Sequence, residues 1–334
     1  MIIIRVDANQ DIGIGHVMRC LSVAKAFSKI NEEVIFCTAD HNSDEIIKKN
    51  GFDSICLDCD WNQVTCKEFS QILYKYKPNY TLIDSYFVTK NDFNSLKPLT
   101  PIVYIDDLNV ECWNVDILIN YNIFSTMLDY SGYNKTQTKL MLGPQFAPLR
   151  EEFKNLPKHQ IKDCVSDILV LSGGSDPENV SENIIRSVCN EFKSINFHLI
   201  VGTLNPRIDK LKKLEKENVI LHINEKEISR MMRKCDIAIS AAGTTLYELC
   251  ASGIPTITFT IADNQIMAAK QFETEKIMFN AGDYRTKINC VYEIKKHLIF
   301  LLENTKMRRK LSNKMQTIVD GKGADRIAEN ILGI

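Results

Sequence analysis

His16 stands in the segment Gly13-Ile14-Gly15-His16-Val17-Met18-Arg19-Cys20, just after an apolar run that ends in Arg5-Val6-Asp7-Ala8. The run predicts a first strand and the glycines a tight turn. Val17, Cys20, Leu21 and Ala24 then recur at i, i+3, i+4 and i+7, which predicts a helix starting beside the histidine. An imidazole placed there can accept a proton near neutral pH, because the positive end of a helix disfavours its charged form. His16 is therefore the candidate base, with Asp7 or Asp107 as an alternative base or as the group that orients it. The same residue type would equally suit a helix cap or a core position. A nicotinamide fingerprint would need a third glycine three residues after the second, with an acidic residue about twenty further on. Met18 stands at that third position, which excludes a dinucleotide oxidoreductase.

Two junctions in the second half have the makings of a phosphate site. In Leu171-Ser172-Gly173-Gly174-Ser175-Asp176-Pro177 a buried run ends in adjacent glycines whose N–H groups can approach an anion closely. Pro177 is expected to start a helix there, with Asp176 as its cap. In Ile239-Ser240-Ala241-Ala242-Gly243-Thr244-Thr245 small residues precede a helical pattern, so free N–H groups and the positive helix end would face a diphosphate. Glu248, one turn into that helix, could accept hydrogen bonds from two ribose hydroxyls; it would also suit a capping role.

The elements that must position these residues follow from periodicity. Short β-rich runs at 2–6, 33–38, 80–84, 102–106 and 116–120 alternate with helical patterns, and the alternation restarts at 167–172, 196–201, 219–222, 236–240 and 255–260. This predicts an α/β fold with parallel sheets covered by helices. At 334 residues the chain is long enough for two domains. Residues 142–157, with Gly143, Pro144, Pro148 and Pro157, read as a linker, so the expected domains are 1–150 and 151–334.

Composition narrows the function. Basic and acidic residues nearly cancel, 41 against 42, which gives no electrostatic reason to expect nucleic acid as a partner. No apolar run is long enough to span a bilayer and no leader pattern opens the chain, so a cytoplasmic protein without integral membrane contact is expected. The 11 cysteines are read as reduced core residues, Cys37, Cys189, Cys235 and Cys250 among them. Cys56 and Cys59 have CxxC spacing with Cys66 nearby, but nothing completes a zinc site, and no metal is expected. From Glu293 onward the period is helical, and Lys306, Arg308, Arg309, Lys310 and Lys314 would give that tail a basic face, ordinarily solvated.

Taken together, the Arg5-Val6-Asp7-Ala8 and Gly13-x-Gly15-His16-x-x-Arg19 segments, the Leu171-to-Pro177 turn, and Ser240-to-Phe259 followed by Asp263-Asn264-Gln265 resemble a known family. They are similar to the UDP-2,4-diacetamido-2,4,6-trideoxy-β-L-altropyranose hydrolases of pseudaminic acid biosynthesis (PseG type) and, more distantly, to the GT-B glycosyltransferases that include MurG. The resemblance implies a GT-B fold of two Rossmann-like domains facing across a cleft, with the last helix packing back on the first. It implies hydrolysis of the UDP-sugar to UDP and free sugar, with inversion at the anomeric carbon and without cofactor or metal; a monomer is the default expectation. His16 would activate the water, Tyr86 line the sugar pocket and Asn264 bond the sugar or the water. Glu248 would take the ribose, with Gly173, Gly174, Ser175, Ala242, Gly243, Thr244, Thr245 and Gln265 around the nucleotide, and Arg5, Asp7, Gly13, Gly15 and Asp107 around the sugar. An inverting glycosyltransferase, a hydrolysing 2-epimerase and a non-catalytic UDP-sugar-binding protein are the competing readings.

Overall fold

The computed structural model describes residues 1–9, 13–202, 205–286 and 288–334. Within these the chain forms two compact units, Met1–Glu151 with Lys322–Ile334, and Glu152–Gly321.

The first unit is a seven-stranded parallel sheet built from β1 (Ile2–Val6), β2 (Val34–Thr38), β3 (Asp53–Cys56), β4 (Tyr80–Asp84), β5 (Ile102–Ile105), β6 (Ile117–Asn120) and β7 (Lys139–Leu142). The order is β3-β2-β1-β4-β5-β6-β7. Helices α1 (Gly15–Lys29), α2 (Asp44–Lys49), α3 (Lys67–Tyr76) and α4 (Lys90–Leu96) connect the strands. The stripe expected on α1 is the buried one: Val17, Cys20, Leu21 and Ala24 are all within 2% of full burial. The four central strands β1, β4, β5 and β6 are buried along nearly their whole length, as in a sheet covered on both faces.

The second unit is a six-stranded parallel sheet of β8 (Asp167–Leu171), β9 (Asn196–Val201), β10 (Val219–Ile223), β11 (Ile237–Ala241), β12 (Thr256–Thr260) and β13 (Phe279–Asp283), in the order β10-β9-β8-β11-β12-β13. Its helices are α5 (Val180–Ile184), α6 (Ile208–Lys212), α7 (Ile228–Lys234), α8 (Thr245–Ser252), α9 (Ile266–Thr274), α10 (Ile288–Glu303) and α11 (Thr305–Ile318). The chain then returns to the first unit as α12 (Gly323–Leu332), whose Ala324, Ile327, Ala328 and Ile331 are buried as it packs on α1.

Several expectations need correction. Strands β3, β7 and β13 carry no clear sequence signal; all three lie at sheet edges, where short, half-buried segments need little apolar character. Pro177 does not start a helix: α5 begins at Val180, and Asp176 takes a left-handed conformation with φ 49° ahead of it. The basic face of the tail is broken, because Arg308 on α11 is 1% exposed and donates to the carbonyls of Leu301, Leu302, Lys162 and Asp163. All 11 cysteines are free thiols, but Cys112 and Cys164 are exposed and Cys56, Cys59 and Cys66 only partly covered. Among the described residues no helix is long and apolar enough to cross a membrane.

Candidate functional site

Each sheet reverses its strand order once, between β1 and β4 in the first unit and between β8 and β11 in the second. Loops leaving the carboxyl ends of such neighbouring strands diverge to opposite faces and open a crevice, the usual binding position of parallel α/β sheets.

In the first unit, the β1 loop supplies the histidine and the end of β4 its partner. Gly13 has φ 71°, a conformation that side chains disfavour, and its N–H closes the turn on the Asn9 carbonyl at 2.9 Å. The turn delivers Gly15 as the first residue of α1 with no side chain capping it. His16 is 8% exposed, and its Nδ1 lies 2.6 Å from Asp84 Oδ1. Arg19, one turn along α1, grips the same carboxylate through Nε at 2.6 Å and Nη2 at 2.5 Å. Its Nη1 donates to Asp107 at 2.7 Å and to the Tyr121 hydroxyl at 2.5 Å. The Tyr86 hydroxyl donates to Asp107 at 3.0 Å, and the Tyr86 ring meets the His16 ring edge-on at 4.7 Å.

Burial alone would raise the Asp84 pKa, but the charges and hydrogen bonds of Arg19 and His16 outweigh it and hold the carboxyl far below its usual range. His16 Nδ1 faces the Asp84 carboxylate at 2.6 Å and Arg19 Nη2 at 3.1 Å; the neutral tautomer that donates from Nδ1 to the nearer, anionic partner carries its lone pair on Nε2. Burial, followed by the Asp107 charge, pushes the Tyr86 phenol far above its usual value, so it acts only as a neutral hydroxyl.

Asp84, not Asp7 or Asp107, therefore orients His16. Asp7 is committed to Arg5 at 2.5 Å and to the Ala39 N–H at 2.6 Å; Asp107 is held by Arg19, Tyr86 and Asn122. Arg5 is 1% exposed and tied to Asp7 and to the Gln63 carbonyl. His16, Tyr86, Asp7 and Asp84 line one small recess of about 10 Å³, together with Trp61, Ser85 and Phe87. Sequence reasoning gave no role to Asp84, Arg19, Tyr121 or Trp61. Arg19 was visible at i+3 from His16, on the same helix face; nothing in the sequence ties Trp61 to them.

In the second unit, Gly173, Gly174 and Ser175 leave β8 while Ala242, Gly243, Thr244 and Thr245 leave its neighbour β11. A Cβ at Gly174 or Gly243 would meet nothing within 4 Å, so open space lies over both. Helix α8 starts at Thr245 with no side-chain cap, its Leu246 and Tyr247 N–H groups turn back to the Gly243 and Thr244 carbonyls at 3.1 Å each, and Glu248 lies on its first turn. The start of α5 is filled, since the Asp176 carboxylate accepts from the Val180 and Ser181 N–H groups at 2.7 and 3.0 Å, which leaves the Gly173–Gly174 backbone as what this junction can offer a phosphate. Asn264 and Gln265 sit in a turn after β12, the strand next to β11, with Gln265 Oε1 accepting from the Ile261 N–H at 2.9 Å.

The two cysteines of the CxxC segment take different neighbours. Cys56 lies with His41 and Asp58, three donors within 4.8 Å at the surface, while Cys59 pairs with Cys66.

No known protein-family profile matches the chain. It is 25% identical, over 74% of its length and 86% of the relative's, to the UDP-2,4-diacetamido-2,4,6-trideoxy-β-L-altropyranose hydrolase of Campylobacter jejuni. It is 27% identical, over 78% of its length, to the Helicobacter pylori protein that is pseudaminic acid cytidylyltransferase and UDP-2,4-diacetamido-2,4,6-trideoxy-β-L-altropyranose hydrolase. An uncharacterised Methanocaldococcus jannaschii protein is 25% identical. The chain spans 44% of the Helicobacter protein and 54% of the archaeal one, about half the length of each. Among solved structures, Acinetobacter baumannii MurG superimposes with a TM-score of 0.68 at 12% identity, covering 100% of this chain and 99% of that one. Neisseria meningitidis UDP-GlcNAc 2-epimerase bound to UDP-GlcNAc gives 0.68 at 14% identity, covering both chains fully. The fold is thus of the GT-B type, and the similarity to the PseG-type hydrolases expected from the motifs is borne out.

Proposed function

We propose that this chain hydrolyses a UDP-linked 2,4-diacetamido-2,4,6-trideoxy sugar to UDP and the free sugar. The observation that carries the reading is the Asp84–His16 pair at the β1/β4 crevice, a base with one nitrogen fixed by a buried carboxylate and the other left to a water. In the reaction, His16 Nε2 takes a proton as the water oxygen bonds to the anomeric carbon. The C–O bond to the diphosphate breaks with its electron pair leaving on the phosphate oxygen. Attack from the face opposite the leaving group inverts the centre, and no carboxylate nucleophile is needed. Tyr86, held neutral, and Asn264 donate hydrogen bonds to the sugar or the water.

The second unit has the role of holding UDP. The N-terminus of α8 and the open backbone at Gly174 and Gly243 suit a diphosphate, and donors already aimed at the leaving oxygens stabilise the charge that develops there. Glu248 takes the ribose hydroxyls. Arg19 is a positioning residue: it keeps Asp84 ionised and thereby fixes the His16 tautomer.

The test is UDP release from UDP-2,4-diacetamido-2,4,6-trideoxy-β-L-altrose with EDTA present and no acceptor, following the first-formed anomer by NMR. Release of the inverted sugar supports the hydrolase. Release only when a hydroxyl acceptor is added makes the chain an inverting glycosyltransferase with His16 as the acceptor's base, and binding without either reaction makes it a UDP-sugar-binding protein.

A further inference from the structure

The recess beside His16 has a polar side and an apolar side. On the polar side, Asp7 and Asp84 are consumed by Arg5, Arg19 and the Ala39 N–H, while Ser85 Oγ accepts from the Phe87 N–H at 3.2 Å. The apolar side is an aromatic pair. Trp61 and Phe87 meet edge-to-face with centroids 4.8 Å apart and planes at 90°, and Phe87 remains 39% exposed. Aromatic surface left open beside a base has no packing purpose, and a ligand that covers it gains in proportion to the apolar area removed from water.

Trp61 is also held in place. It sits on the segment between β3 and α3, which is pinned at both sides by Leu57 and Val64, 3% and 1% exposed. Leu57 N–H donates to Thr38 and Cys59 N–H to Ala39, and Arg5 Nη2 reaches the Gln63 carbonyl at 3.3 Å. The wall is therefore fixed before a ligand arrives. At about 10 Å³ the recess has room for roughly one water-sized group, so it suits a single small substituent of the sugar rather than the ring.

We infer that Trp61 and Phe87 are specificity-determining residues that receive a methyl group of the sugar, either the methyl at C6 or that of an acetamido group. The inference rests on the UDP-sugar reading above and deepens it. An apolar wall of this kind favours a methyl over a hydroxymethyl group by about 10–200-fold. The Phe87 ring has no polar atom to reward a hydroxyl in that place.

Saturation-transfer NMR with the diacetamido-trideoxy donor, run on the catalytically silenced His16→Asn protein, tests this without turnover. The C6 methyl doublet or an acetamido singlet should receive the strongest saturation; which one does identifies the group read. That signal should drop several-fold in the Trp61→Ala and Phe87→Ala backgrounds while the uridine protons keep theirs, and Trp61→Phe should restore part of it. Unchanged methyl saturation in both alanine backgrounds, in proteins that melt as the parent does, overturns the inference even if UDP is released. A methyl signal that weakens on substitution, in a protein whose parent releases no UDP, leaves the wall standing and sinks the hydrolase reading alone. For turnover, kcat/KM for the 6-deoxy donor over its 6-hydroxy counterpart should fall toward 1 in Trp61→Ala if C6 is the group read.

Discussion

A histidine becomes a one-directional base only when its second nitrogen is spoken for, and Asp84 supplies that condition to His16. His16→Asn is accordingly expected to lower kcat by about 10²- to 10⁴-fold while the UDP dissociation constant, measured by calorimetry, stays within about 2-fold. Comparable loss of both would place His16 in binding. Asp84→Asn should act differently. It can turn an amide N–H toward Nδ1 and select the wrong tautomer, and it leaves the buried Arg19 guanidinium without its bidentate partner. A rate loss joined to a stability loss of about 3–5 kcal/mol in urea unfolding is the expected signature. A substitution that slowed turnover with full stability would assign Asp84 to tautomer control alone. His16 was legible because a glycine turn and an amphipathic stripe flank it within a dozen residues. Asp84 was visible only as the last residue of a strand; its role depends on the pairing of β1 with β4, which no local pattern encodes.

Among the elements, the buried strands were readable, and of the four edge strands only β10 was. Ile102–Ile105 and Ile237–Ala241 are fully buried runs, whereas Asp53–Cys56 is exposed or half-buried throughout and Phe279–Asp283 carries Gly282 at φ 86°. Close backbone approach was also invisible: a Cβ on Gly202, at the end of β9, would lie 2.3 Å from the Gly174 carbonyl oxygen. Gly202→Ala must push the Gly173-Gly174-Ser175 loop away. It is expected to cost about 1–3 kcal/mol of stability and to weaken UDP binding measurably, whereas retained UDP affinity would remove that loop from the nucleotide site. Arg308 reads from sequence as one more surface cation, yet its guanidinium closes the last turn of α10 and the approach to β8 through four carbonyls. Arg308→Met should lower stability by about 2–4 kcal/mol, visible as a shift in the urea midpoint, with little change in UDP affinity.

For the whole molecule, acid should be the weak direction. Burial holds the His159 imidazole down to about 4 from 6.5, so between those values the unfolded chain binds a proton that the folded one refuses. Stability is thus expected to fall as pH drops from about 6.5 toward 4, by up to about 3 kcal/mol, and Asp84, with its lowered pKa, adds a further loss below the ordinary carboxylate range. His159→Leu should flatten the upper part of that decline in thermal melts taken across the window; an unchanged slope would mean the imidazole is not the sensor. The first unit is made of two separate stretches of chain, with α12 covering α1 only after the whole second unit has been spelled out. On a ribosome adding roughly 5–20 residues per second, the apolar side of α1 therefore waits on the order of 15–60 s for its cover. Nascent chains stalled within residues 152–321 should present that side to chaperones, and an engineered polypeptide in which residues 322–334 follow residue 151 directly would spare it the wait.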